Sequence, residues 1–166
     1  MSDKITSVAD LGKYKDIVHQ SALASAGLAV PGTFVPGVDL LGVSGVWISM
    51  IYRIAETSGN GYIEKGAIQR FCVNLAQGAG SYYFGSKALQ WLLIATGVGA
   101  IGAVTLNSAL NYLYTARLGV YIAEQFDRPD FHMENVFSGI GSIIPIMFAI
   151  PSIDELKFVF GITKDV

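Results

Sequence analysis

The sequence predicts an all-α protein of the membrane type, a helical bundle built from two apolar helical hairpins and a broken apolar C-terminal segment. Of its 166 residues, 52% are hydrophobic and only 14% are charged. A soluble chain of this length leaves a large share of its surface outside the core, so this balance favours lipid contact or self-association. Residues 88–116 carry no charged side chain. Helical periodicity continues beyond that run to about Phe126.

The first predicted unit is an apolar hairpin over residues 17–57. A capping-box pattern at Ser7–Asp10 predicts the start of the first helix, and Pro31 should end it, because the residue before a proline is pushed out of the helical region. The second helix is expected over residues 40–57, with Asp39 as its N-cap. Each arm is short for a full crossing, so a re-entrant or interfacial hairpin fits as well as two crossings.

The middle of the chain is the most polar part. An amphipathic helix is predicted over residues 62–77, and its polar side includes Glu64 and Arg70. Residues 78–85 mix glycine with tyrosine and phenylalanine. Aromatic residues of this kind are common where a chain enters a bilayer.

The next unit is a glycine-rich long helix or hairpin over residues 86–126. Its first half is apolar and long enough for most of a hydrocarbon layer of about 30 Å. The whole unit is longer than one membrane needs. It is therefore expected either to bend at Gly97, Gly99 and Gly102 into a second hairpin or to project beyond the bilayer.

The C-terminal part is an apolar tail over residues 136–160. Glycine and proline interrupt it, at Gly139 and Pro145 among other positions. Ser152–Glu155 has capping-box form and predicts a short terminal helix.

Small residues on two helices are candidates for helix packing and oligomer contacts. Ala95, Gly99 and Ala103 follow one another at four-residue spacing, which lets another helix approach closely in lipid. Gly42 and Gly45 are expected to do the same on the second helix.

Polar residues share one face of the long helix and form the second candidate site: Asn107, Asn111, Tyr114, Arg117 and Tyr121. Polar groups at membrane depth are costly unless they are satisfied. The face is therefore expected to line a water-filled lumen or a self-assembly seam. The alternative is an ordinary helix face in open water beyond the bilayer.

No catalytic, cofactor-binding or metal-binding residues are predicted, and the chain is not expected to be an enzyme. Gly97, Gly99 and Gly102 match the spacing of a dinucleotide-binding turn, but the required second strand is missing, so no nucleotide is expected. His19 and His132 have no neighbour at metal-ligand spacing. The single cysteine, Cys72, excludes an intramolecular disulfide.

The net charge and the N-terminal sequence restrict the possible partners and the location of the protein. The formal net charge of −2 gives no basic surface for nucleic acid or anionic headgroups. The first residues lack an apolar h-region, so no cleavable signal peptide is expected. The partners are expected to be the lipid bilayer, most simply a bacterial inner membrane, and further copies of the chain.

Several segments resemble one bacterial family. Residues 35–39, the uncharged helix that continues into Met50–Ala55, the second apolar unit and Thr115–Tyr121 are similar to membrane-associated domains of unknown function often fused to Era-like GTPases. The similarity covers roughly residues 21–126. The chain has no GxxxxGK[ST] loop, so no GTP chemistry follows. The resemblance implies an oligomeric, all-helical membrane module without catalytic residues.

The favoured function is therefore a non-enzymatic integral or membrane-inserting helical protein that self-assembles in or on the bilayer as a pore or scaffold. One alternative is a secreted pore-forming toxin or effector that stays soluble until it inserts. A second is a soluble helical module that binds a lipid-like ligand.

Overall fold

The computed structural model describes residues 11–28, 38–59, 63–78, 99–149, 151–152, 155 and 158–159. Within these ranges the predicted all-α class is confirmed, because the regular structure is helical. A 3₁₀ turn, Gly12–Tyr14, leads into the first helix. The helices are α1 Lys15–Gly27, α2 Val38–Ser58, α3 Lys65–Gly78, α4 Gly99–Phe126, α5 Met133–Ser138 and α6 Ile140–Met147.

The helix bounds agree with the sequence in some places and differ in others. α2 starts two residues before the expected Leu40 and ends at Ser58, so Asp39 lies in its first turn and is not the N-cap. α3 starts at Lys65, three residues after the expected start. The proposed start near Ser7 lies outside the described residues, whose first α-helix starts at Lys15.

The long helix α4 is the centre of the fold. Every residue from Ala109 to Val120 is buried, and α1, α2 and α6 all pack against it. A helix that is apolar on all sides is found either in a protein core or in lipid. For Ala109–Ala116, the buried part of the uncharged run, the surrounding helices supply that apolar environment.

Two expectations for this segment need correction. Gly102 lies inside helix α4, so the chain does not bend into a hairpin there. Gly99 is the first residue of α4 and Gly97 lies outside the described residues, so a bend before α4 stays a prediction. Among the helices that the structure describes, none joins enough length to enough apolarity to cross a bilayer. The all-α bundle is therefore shown, and its membrane character stays a prediction.

The shorter helices cover the centre with distinct faces. α1 buries Val18, Ala22 and Ala26 at four-residue spacing, a row of modest side chains that lets it lie close to α4. α3 is amphipathic and buries Phe71 and Leu75. Each of α1, α2 and α4 contacts the other two, so these three helices pack as one group.

The C-terminal helices match the predicted broken tail. Gly139 separates α5 from α6, and Pro145 lies inside α6. Stacked rings hold this region to its neighbours, since Phe71 and Phe137 lie with centroids 4.8 Å apart. The tilted pair of Tyr114 and Phe148, with centroids 4.6 Å apart, joins α4 to the end of α6.

Candidate functional site

The predicted polar face of α4 lies inside the fold. Asn107 and Asn111 are each 2% exposed, Arg117 is 5% exposed, and Tyr114 is also buried. The alternative that places this face in open water is therefore wrong for these four residues. Tyr121, nearer the end of the helix, is partly exposed.

One buried hydrogen-bond network joins α1, α2 and α4. The Trp47 indole N–H donates to Thr115 Oγ1 over 2.9 Å, and the Thr115 hydroxyl donates to Ser25 Oγ over 2.9 Å. Asn111 Nδ2 donates to the Ser25 carbonyl oxygen over 3.3 Å. Buried polar groups need such partners, because an unsatisfied donor or acceptor costs about 1–3 kcal/mol. The network therefore fixes how the three helices fit together.

Sequence reasoning found Asn111 but missed Thr115, Ser25 and Trp47. Threonine and serine within an apolar stretch give no sequence signal of a hydrogen bond, and a tryptophan there predicts only a core side chain. The available signal was that Trp47 is enclosed by apolar residues, and a buried indole usually finds an acceptor.

A second polar contact links α1 to α4. His19 Nδ1 lies 2.9 Å from the Tyr112 hydroxyl oxygen. Burial raises the pKa of the Tyr112 phenol to about 12, so the phenol stays protonated at neutral pH.

The third polar contact centres on Arg117. Its Nη1 donates to the carbonyl oxygens of Met147 and Ala149 at 3.1 and 2.6 Å. Its Nη2 lies 3.0 Å from each carboxylate oxygen of Glu155. One guanidinium therefore binds the C-terminal end of α6 and a carboxylate further along the chain.

Glu155 belongs at the same time to the predicted capping box. Its Oε2 accepts from the Ser152 backbone N–H over 2.8 Å, and its own N–H donates to Ser152 Oγ over 3.2 Å. Burial raises the pKa of the Glu155 carboxyl, but the bonds from Ser152 and Arg117 lower it more, so the pKa lies below its ordinary value. The carboxylate is charged at neutral pH.

Of the predicted stripe Ala95, Gly99 and Ala103, the structure describes the last two, which lie four residues apart on α4. Ala95 lies outside the described residues, and Gly99 is the first residue of α4. Ala103 is fully buried. Gly42 faces Leu28 of the same chain, with Leu28 Cδ1 3.1 Å from an added Cβ, whereas Gly45 is exposed with open space around it.

A close contact between helices lies at Gly119, a glycine that sequence reasoning missed. A Cβ added at Gly119 would lie 2.7 and 2.8 Å from the two Val18 methyl carbons and 3.1 Å from Met50 Sδ. At Gly119, side chains of α1 and α2 therefore lie close against the α4 backbone. Nothing in the local sequence showed which helix it faces.

The polar side chains of the site make contacts between helices. The described residues contain no group of three His, Cys, Asp or Glu side chains able to hold a metal. Burial raises the pKa of the Cys72 thiol to about 12, which keeps it protonated and a poor nucleophile. The site can hold helices in one arrangement, and breaking its bonds would release them.

Comparisons of the chain with family models, curated proteins and solved structures find no match. The resemblance to the GTPase-fused membrane domains therefore stays a prediction from the residues quoted for it.

Proposed function

We propose that this protein is a non-enzymatic, membrane-inserting helical protein that self-assembles in or on the bilayer. The observation that carries the proposal is the uncharged run at residues 88–116. The part of it that lies in α4 forms the buried centre of the bundle. Residues 88–98 add a further uncharged stretch directly before that helix, and a continuous apolar segment of this length is suited to a hydrocarbon layer.

The exterior of the described bundle supports a form that is stable in water before insertion. Among the described residues, the exposed large hydrophobic side chains are Tyr52, Val73 and Phe158, which come from three different parts of the chain. Scattered exposed apolar residues are normal on water-facing surfaces. Insertion of α4 therefore requires that the helices around it move apart.

That requirement favours one second candidate, a secreted pore-forming toxin or effector held soluble until it inserts. A central helix whose N-terminal part is uncharged, packed among helices with polar outer faces, suits such a change. Delivery of the protein to the periplasm separates the two candidates. A toxin should collapse the membrane potential, whereas a resident inner-membrane protein should leave it intact.

Fractionation of cells tests the membrane proposal and separates it from a soluble lipid-binding module. The native protein should stay in the membrane pellet after a carbonate wash, because inserted apolar segments resist high pH while electrostatically bound proteins do not. A control protein bound only through headgroup charge should be released. Full recovery in the supernatant without carbonate would overturn the proposal.

Self-assembly is tested by paired substitutions at the start of α4. We expect Gly99→Leu to reduce the oligomer mass in detergent more than Val98→Leu, because a large side chain on the small-residue stripe forces facing backbones apart. The masses are measured by light scattering. Equal masses for the two variants and the wild type would remove the stripe from the account.

A further inference from the structure

We propose that the C-terminal segment is a latch that holds the bundle closed, with Arg117 as its anchor. The latch consists of the described residues Pro151, Ser152, Glu155, Phe158 and Val159. The inference rests on the proposed function, because the state that the latch restrains is the one in which α4 leaves its surrounding helices.

The contact between latch and bundle is a buried ion pair. The side chains of Arg117 and Glu155 are 5% and 12% exposed, and the closest nitrogen and oxygen lie 3.0 Å apart. Val159 is fully buried in the core, while Phe158 is 50% exposed. The segment is therefore held at two described points, one charged and one apolar.

The same guanidinium ties the latch to α6. Arg117 Nη1 binds the Met147 and Ala149 carbonyl oxygens at the end of that helix, and α6 packs on α4 through the buried Ile143 and Met147. Loss of the carboxylate would leave a buried guanidinium without its counter-charge, a strongly unfavourable arrangement. This penalty is removed when the guanidinium moves into water. That movement also breaks the bonds of Arg117 to the end of α6.

This arrangement gives the latch control over one side of the central helix. α6 is among the helices that cover α4, and its C-terminal end shares the Arg117 anchor. Release of the segment should therefore weaken the cover of α4 next to Tyr114 and Phe148. The hidden apolar helix then becomes easier to transfer into a bilayer.

The test uses the full-length variant Glu155→Gln. Glutamine at this position keeps the capping box with Ser152, so the substitution removes the ion pair and spares the local helix start. The matched control is Glu124→Gln, which removes one negative charge from an exposed position on α4. A second variant, Val159→Ala, weakens the apolar contact between the latch and the core and leaves the Arg117–Glu155 ion pair in place.

Two measurements on each protein separate the latch from the proposed function. We expect backbone amides in residues 152–159 to exchange hydrogen at least about tenfold faster in Glu155→Gln than in Glu124→Gln, since charged hydrogen bonds contribute enough for one to two decades. Exchange of the same amides should also be faster in Val159→Ala than in Glu124→Gln. We also expect a larger fraction of both latch variants to float with phosphatidylcholine vesicles.

Each alternative outcome contradicts one part of the proposal. Unchanged exchange in Glu155→Gln contradicts the anchor role of the ion pair. Faster exchange with the same vesicle-bound fraction as a wild type that does bind contradicts the latch and leaves the membrane function standing. Faster exchange with no vesicle binding by any of the proteins contradicts the membrane function and, with it, the control role of the latch.

Discussion

Replacement of Gly119 by alanine tests the packing of the three central helices. The added Cβ would lie 2.7 and 2.8 Å from the two methyl carbons of Val18, about 1 Å closer than the usual carbon contact. Val18 lies in α1 and is β-branched, so it has one strongly preferred rotamer and cannot turn both methyl groups away. Met50 Sδ, 3.1 Å from the same position, blocks movement toward α2.

Two opposing contributions set the change in the free energy of unfolding caused by Gly119→Ala. Alanine stabilises a helix interior by about 1 kcal/mol relative to glycine, while overpacking of a core costs about 1–3 kcal/mol. Three crowded atoms place Gly119→Ala toward the upper end of that cost, so we expect a net loss of about 1–2 kcal/mol. For a domain of this size the melting temperature should fall by about 2–8 °C.

Thermal unfolding followed by circular dichroism measures the shift, with two companion variants. Gly45→Ala lies in a helix with open space around the added carbon, so it should raise the free energy of unfolding by about 0.5–1 kcal/mol. In a Val18→Ala background the penalty of Gly119→Ala should become smaller, because the two closest carbon atoms are gone while Met50 Sδ remains 3.1 Å from the added Cβ. A melting temperature for Gly119→Ala at or above that of the wild type would refute the reasoning.

Three further predictions concern other parts of the core. Trp47→Phe removes the donor to Thr115 Oγ1 and should lower the free energy of unfolding by about 1–3 kcal/mol; an unchanged urea midpoint would contradict the network. The Cys72 thiol, whose pKa burial raises to about 12, should resist iodoacetamide in the native protein and react after unfolding; rapid native labelling would show that it is accessible. The pKa of Glu155 is below its ordinary value of 4.5 when folded, so its contribution is complete above that value and is lost as pH falls through the folded pKa. Acid unfolding should therefore be less steep for Glu155→Gln, and identical acid profiles would count against a charged Glu155.

Local signals in the sequence carried most of the helix pattern. The capping box at Ser152–Glu155 was readable because its two bonds join residues three apart, and both bonds are present. The start of α2 could be placed within two residues because turn-forming residues lie before its uncharged run. Such features depend on chemistry within one turn of helix.

Features set by distant residues could not be read in this way. The partners of Arg117 lie 30 to 38 positions away, so the sequence showed a cation at the edge of a polar face and not the bonds that it makes. The role of Gly119 depends on Val18, which belongs to another helix. These contacts follow from how the helices pack, and periodicity within one helix does not contain that information.

The surroundings of the uncharged run could not be predicted from its sequence either. A helix that is apolar on every side has the same pattern whether lipid or other helices surround it. For Ala109–Val120, the buried part of α4, the surroundings are other helices. The direct signal for lipid in the sequence now comes from the residues that precede this helix, together with the overall apolar balance.

Flotation of the purified protein with phosphatidylcholine vesicles at low and at high salt tests the central proposal most directly. Apolar insertion is insensitive to screening, whereas attraction between charges weakens as salt shortens the Debye length. The net charge of −2 gives the protein no electrostatic attraction to these vesicles that could replace apolar insertion. We expect the protein to float with the vesicles to the same extent at both salt concentrations. Protein that stays at the bottom of the gradient in both would contradict membrane insertion.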